Sequence, residues 1–281
     1  MPNRVLITGI QEKNSGKTFV TELLGHILNK NNQPFEVYKP VSGSHYYYQA
    51  SNVFFGLSYG TIISQDLRTT HQAVHPDCNR PLELLNPIHT LFFTHNLGSY
   101  VQNRMKDYIN GSLDQPGLVR YGLANLEGKV ERHILYNPSL MPESLHPLLN
   151  NAMKTKEFAT LDELQRLDAQ LTTKALETTW RSLRNENVVL TEAFNMYIPP
   201  PVITKDVDVV LLVGPGIVAS VNTQRFHQAL EFLHNGISPM NKIIELTGVE
   251  EVREVPLFRS VHDLEGGKWS ELQNWLLSLV S

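Results

Sequence analysis

The segment "ITGIQEKNSGKTF", residues 7–19, constrains this chain more than any other. Arg4 to Thr8 is dominated by apolar and β-branched residues and reads as a short buried strand bounded by Gly9. From Thr18 onward Phe19, Val20, Leu23, Leu24, Ile27 and Leu28 recur at helical spacing, until "NKNNQP" ends the run. Between strand and helix stand Gly16, Lys17 and Thr18, the second half of the phosphate-loop pattern G-x-x-x-x-G-K-[ST]. Its first half is displaced: the position five before Gly16 is Gln11, and the nearest glycine is Gly9.

A phosphate cradle needs backbone N–H groups converging at a helix N-terminus, where unpaired amides and the helix dipole both favour an anion. It also needs a lysine to reach the β- and γ-phosphates and a hydroxyl for magnesium. Lys17 and Thr18 fill those roles, and Gly9, Asn14, Ser15, Gly16 and Phe19 complete the expected nucleotide-binding stretch. The expected cofactors are ATP and Mg2+.

The rest of the chain supports an α/β fold, a mostly parallel sheet with helices on both faces. "FEVYKPV", residues 35–41, reads as a second strand that gives way to a loop at Pro40 and "SGS". "NVVLTEAF" (187–194) and "VDVVLLVG" (207–214) are near-continuous apolar runs, as in parallel strands covered on both faces. "NTQRFHQALEFLH" and "KWSELQNWLLSLV" are amphipathic helices, and "NKIIEL" and "REVPLF" are read as further strands. Leu161 to Leu183 forms a long helix with Leu164, Leu167, Leu171, Ala175 and Trp180 on roughly one face. "LVRYGLANLEGKVERHILYNPS" alternates on either side of "EGK" and is expected as a β-hairpin. The chain is read as a single domain over 1–281, with an insertion or cap at about 91–160.

The loop "TGIQEKNSGKT" resembles that of the dethiobiotin synthetases, G-T-x-T-x-x-G-K-T, with one more residue between Gly9 and Gly16. The family's K-P-V-x-S-G motif is similar to Lys39, Pro40, Val41, Ser42 and Gly43, one residue shorter here. Its V-E-G-A-G-G turn and following proline correspond to Glu192 and Pro200, with Ala193, Phe194 and Asn195 in place of the glycines. "LLVGPGIVASVNT" matches its next strand and loop in outline, so the resemblance spans about residues 4–90 and 187–281.

That resemblance implies the P-loop NTPase fold and a homodimeric Mg-ATP-dependent ligase. Such an enzyme phosphorylates a carbamate, and a neighbouring amine then closes a ring with loss of phosphate. Lys39 would join Lys17 at the transferred phosphoryl group, where charge must be stabilised without covalent chemistry. Ser42 would lie near the phosphoryl acceptor, and Thr18, Asp66 and Glu192 would hold magnesium. The family's adenine-reading asparagine is replaced in "IIELTGV" by Glu245 and Thr247, and the lost glycine-rich turn falls where the family binds its diamine. Two alternatives stay open. One is a switch ATPase of the chromosome-partitioning and septum-site class, whose early loop lysine would be approximated only by Lys13. The other is a nucleotide-binding module without turnover.

Composition sets outer bounds. With 24 Lys plus Arg against 28 Asp plus Glu, the net charge of −4 gives no global basic field for nucleic acid. No apolar run reaches the length of a membrane span. A single Cys78 and an N-terminus unlike a signal peptide lead to the expectation of a soluble cytoplasmic protein whose partners are nucleotide and small-molecule substrate. His71, His75 and Cys78 in "THQAVHPDC" have zinc-like spacing but no evident fourth ligand, and are read as a polar loop. His45 with Tyr46 to Tyr48 is read as aromatic packing.

Overall fold

The structure is a computed structural model that describes residues 3–11, 14–76, 80–94, 114–125, 127–195, 198–232, 240–256 and 267–280. In chain order its elements begin β1 (Asn3–Gly9), α1 (Lys17–Lys30), β2 (Phe35–Tyr38), β3 (Val41–His45), α2 (Ala50–Tyr59), α3 (Gln65–Val74), α4 (Leu82–Leu85) and β4 (Ile88–Thr94). There follow β5 (Asp114–Ala124), β6 (Val130–Tyr136), α5 (His146–Asn150), β7 (Lys154–Glu157), α6 (Leu161–Ser182) and β8 (Val188–Glu192). The chain closes with α7 (Pro201–Thr204), β9 (Val209–Gly214), β10 (Ile217–Val221), α8 (Thr223–Phe232), α9 (Met240–Thr247), β11 (Glu251–Glu254) and α10 (Gly267–Val280).

These elements form an α/β protein of two compact units, one of Met1–Pro40, Asp66–Arg80 and Trp180–Ser281, the other of Val41–Gln65 and Pro81–Thr179. The first unit is built on a six-stranded sheet in the order β11-β10-β9-β1-β8-β2. Strand β1 runs parallel to β8 and β9, and β2 runs parallel to β8. Both faces are covered, as the unbroken apolar runs require. Leu6, Val210 and Leu212 pack with Phe226 and Ala229 of α8 and Ile243 of α9. The alternate residues Val5, Ile7, Leu211 and Val213 are equally buried, and α1 lies against β1, β8 and β2.

The second unit has a five-stranded mixed sheet, β3-β4-β5-β6-β7. The expected hairpin is present as antiparallel β5 and β6, closed by Asn125, whose Oδ1 accepts the Glu127 and Lys129 amides. Its apolar core gathers Val53, Ile62, Leu91, Phe93, Leu118 and Ile134. Arg120, completely buried, spends its guanidinium on the carbonyl oxygens of Ile62 and Asn86.

Several local expectations are corrected. The run 35–41 is not one strand: β2 ends at Tyr38 and β3 begins at Val41, in the other sheet. Pro40 has no N–H to continue a ladder, so the break falls there. "NKIIEL" lies in α9 rather than a strand; a short apolar run lacks the length to reveal its period. Of "REVPLF", Arg253 and Glu254 lie on edge strand β11, while residues 257–258 fall outside the described residues. Strand β10, antiparallel to β9 across the Pro215–Gly216 turn, stands where only a loop is expected. Among the described residues no helix is long and apolar enough to cross a membrane.

Candidate functional site

The link from β1 to α1 folds back over the end of its own strand. A Cβ on Gly9 would collide with Ser15 Oγ and sit 2.9 Å from the Gln11 carbonyl oxygen and 3.0 Å from Lys17 Nζ. Only glycine leaves that space open, which is the physical reason for a glycine at this displaced position. Asn14 and Gly16 both take positive φ, 57° and 92°, and bracket the buried Ser15. Gly16 is the N-cap of α1 and offers no side chain to it, and the first turn carries no acidic residue. Its leading amides and the positive end of the helix dipole are therefore not neutralised by the cap itself. Lys17 turns back across the loop, its Nζ 3.1 Å from Ser15 Oγ. Phe19 follows, half-buried, in the first helical turn.

Parallel pairing then aligns the strand ends. Ile7 pairs with Glu192 and Tyr38 with Thr191, so Gly9, Glu192 and Lys39 all emerge at the carboxyl edge of the sheet, where open α/β sheets place ligands. Lys39 Nζ lies 2.7 Å from Glu192 Oε1 and 2.6 Å from Asp66 Oδ2, with Asp66 on the first turn of α3. Thr18 Oγ1 donates to the same Glu192 Oε1 at 3.2 Å. The Lys39 and Glu192 side chains are each 6% exposed, whereas Asp66 is 54% exposed. Burial works to lower the Lys39 ammonium, but Glu192 and Asp66 outweigh it and the net shift is upward. For Lys17 burial prevails, and Lys39 adds to the lowering against the opposing pull of Glu192.

The structure thus brings together Gly9, Asn14, Ser15, Gly16, Lys17, Thr18 and Phe19 on one loop and helix start, and joins Thr18, Lys39, Asp66 and Glu192 in one network. Ser42 belongs to the other unit. Its buried hydroxyl engages Asn86 Oδ1 at 3.0 Å and His89 Nδ1 at 2.7 Å. Lys13 lies outside the described residues. Two carboxylates meet Lys39, and the Thr18 hydroxyl meets one of them; all are hard oxygens of the kind that suit Mg2+. Among the described residues no group of three or more His, Cys, Asp or Glu side chains could hold a metal ion; the oxygens assembled here are two carboxylates and one hydroxyl.

A second cluster is absent from the sequence expectations. His71 and His75, read as part of a polar loop, lie on α3 and just after it. The Nε2 of each is 3.8 Å from Oε1 of the buried Glu36, and both nitrogens are buried without a hydrogen-bond partner. Glu36 Oε2 accepts Arg80 Nη1 at 2.8 Å, and Arg80 Nη2 reaches Glu186 Oε1 at 2.6 Å. Burial, only partly offset by Arg80, raises the Glu36 carboxyl to about 7. Burial, helped by His75 and Arg80, depresses His71 to about 4. The i, i+4 spacing of His71 and His75, one helical face, is the signal that could have located this cluster. Cys78 lies outside the described residues.

Comparison with protein-family models, with curated proteins and with solved structures gave no match.

Two outcomes test this geometry. Gly9→Ala should cost about 1–3 kcal/mol in urea unfolding, the usual range for overpacking. Adding Ser15→Ala should recover part of that loss; strict additivity would contradict the close approach. The second outcome concerns pH. A folded-state pKa near 4 against an ordinary 6.5 means that the unfolded chain takes up a proton at His71 first. Wild-type stability should therefore fall as pH drops from 6.5 to about 4, with a slope that His71→Gln makes shallower, His75 still contributing its own part. Glu36 has the opposite sign, losing stability as pH rises from 4.5 to about 7, in both proteins. Parallel stability curves for the two proteins below pH 6.5 would contradict a buried neutral His71.

Proposed function

We propose that this chain is a Mg-ATP-dependent enzyme with a P-loop NTPase fold, which phosphorylates a small carboxylate or carbamate in the manner of the dethiobiotin synthetases. The observation that carries the reading is the convergence of Lys17, Lys39, Thr18 and Glu192 at one sheet edge, beside an uncapped helix N-terminus. A triphosphate tail fits that edge on charge grounds, since the amides of residues 14–19 and two ammonium groups all face an anion favourably.

In this reading the loop amides and Lys17 hold the β- and γ-phosphates, and Lys17 leaves Ser15 Oγ to do so. Burial depresses the Lys17 ammonium, and a bound polyanion would restore it, so the lysine gains more from phosphate than an exposed one would. Lys39 neutralises the charge that spreads over the oxygens of the moving phosphoryl group. Magnesium, held by Thr18, Glu192 and Asp66, would neutralise charge on the phosphates. Ser42 is left out of the machinery, because its hydroxyl is committed to Asn86 and His89.

Phosphate release from Mg-ATP, measured with and without diaminopelargonate plus bicarbonate, tests the reading. Diamine-dependent release is expected, and Lys17→Ala should reduce it by about 100-fold or more, the scale seen when one phosphoryl-stabilising group is lost. Slow release independent of the diamine would favour a switch ATPase, and tight binding without release a nucleotide-binding module. No triphosphate binding at all would overturn the assignment.

A further inference from the structure

Lys39 is arranged for a second task, which rests on the nucleotide reading above. We infer that its ammonium is the site's internal counter-ion, holding the position of the divalent cation until metal arrives and then passing to the phosphates. Asp66 Oδ2 and Glu192 Oε1 approach Lys39 Nζ at 2.6 and 2.7 Å, and Thr18 Oγ1 donates to that same Glu192 oxygen. Two carboxylates suited to magnesium are thus already organised around one positive charge, with the Thr18 hydroxyl joined to one of them.

Electrostatics favours an exchange of cations over simple release of the lysine. Glu192 is only 6% exposed, so Lys39 cannot withdraw and leave that carboxylate uncompensated without a large desolvation penalty. A divalent ion removes the obstacle. Two carboxylates with one ammonium carry a net charge of −1, and with a divalent cation they are neutral. Asp66, at 54% exposure, provides the solvent-facing side on which the ion can first be caught. The released ammonium then adds to Lys17 in facing the triphosphate. Metal and polyphosphate therefore bind cooperatively through Lys39: metal frees the lysine for phosphate, and phosphate draws it off the carboxylates. Linkage requires the coupling to run equally in both directions.

Mn2+ binding without nucleotide, followed by the electron paramagnetic resonance of the free ion, reads the competition directly. Lys39→Met should bind Mn2+ about tenfold more tightly than wild type, within the usual range of coupling between sites. Lys39→Gln keeps a hydrogen-bond donor for Glu192 and should show the same direction if the methionine variant is too unstable to assay. Equal or weaker Mn2+ binding in a folded variant would overturn the inference. On wild-type protein, reductive methylation of Lys39 read by mass spectrometry should rise severalfold when millimolar Mg2+ is added; unchanged labelling would also overturn it. Calorimetry of Mg-ATP on wild type separates the two ideas, since triphosphate uptake speaks for the nucleotide reading whatever the manganese ratio shows.

Discussion

Two opposite charges, Lys39 and Glu192, sit 2.7 Å apart at 6% exposure each, and neither could remain there alone. Removing one partner of such a pair typically costs about 3–5 kcal/mol, because the other is left buried and uncompensated. Replacing both with apolar residues is often neutral or stabilising, so stability alone does not account for the pair. What it does fix is position. It ties the end of β2 to the end of β8, and through Thr18 it ties both to the first turn of α1. The sheet register supplies the rest, since parallel pairing of β1, β8 and β2 delivers all three chain ends to one edge.

Helix α3 meets side chains of β2 and its exit near both ends. Asp66 meets Lys39 near the helix start, while His71 and His75 lie over Glu36 near its finish. The two contacts differ in kind. The first is a short ion pair with one exposed partner. The second keeps two imidazoles neutral beside a carboxyl that burial has made a weak acid.

Legibility in the sequence tracked the range of the interactions involved. β1, α1, α6, β8, β9 and the β5–β6 hairpin each announce themselves through local period or turn chemistry, and each is present. The strand–loop–helix placement of Gly9, Gly16, Lys17 and Thr18 was legible for the same reason, since they are neighbours in sequence. Failures arise where tertiary context decides. Ile243 and Ile244 serve a helix or a strand equally well in a six-residue window, and α9 follows from packing against α8. β10 pairs antiparallel to β9 because Gly216, at positive φ, permits a tight reversal. Asp66 could be proposed only through the family resemblance; its contact with Lys39 bridges 27 residues. The Glu36 cluster joins β2, α3 and the approach to β8; the i, i+4 spacing of His71 and His75 marks its helical side, while Glu36, Arg80 and Glu186 are brought to it by tertiary structure.

Everything proposed for this chain turns on whether the amides at the start of α1, with Lys17 and Lys39, accept a polyphosphate. A crystal structure of the chain with Mg2+ and a non-hydrolysable ATP analogue addresses this most directly. The terminal phosphates should lie over residues 14–18, within hydrogen-bonding distance of Lys17 Nζ, with Lys39 Nζ withdrawn from Glu192 toward the γ-phosphate. An analogue bound elsewhere, or absent while Lys17 still rests on Ser15 and Lys39 on Glu192, would refute the assignment.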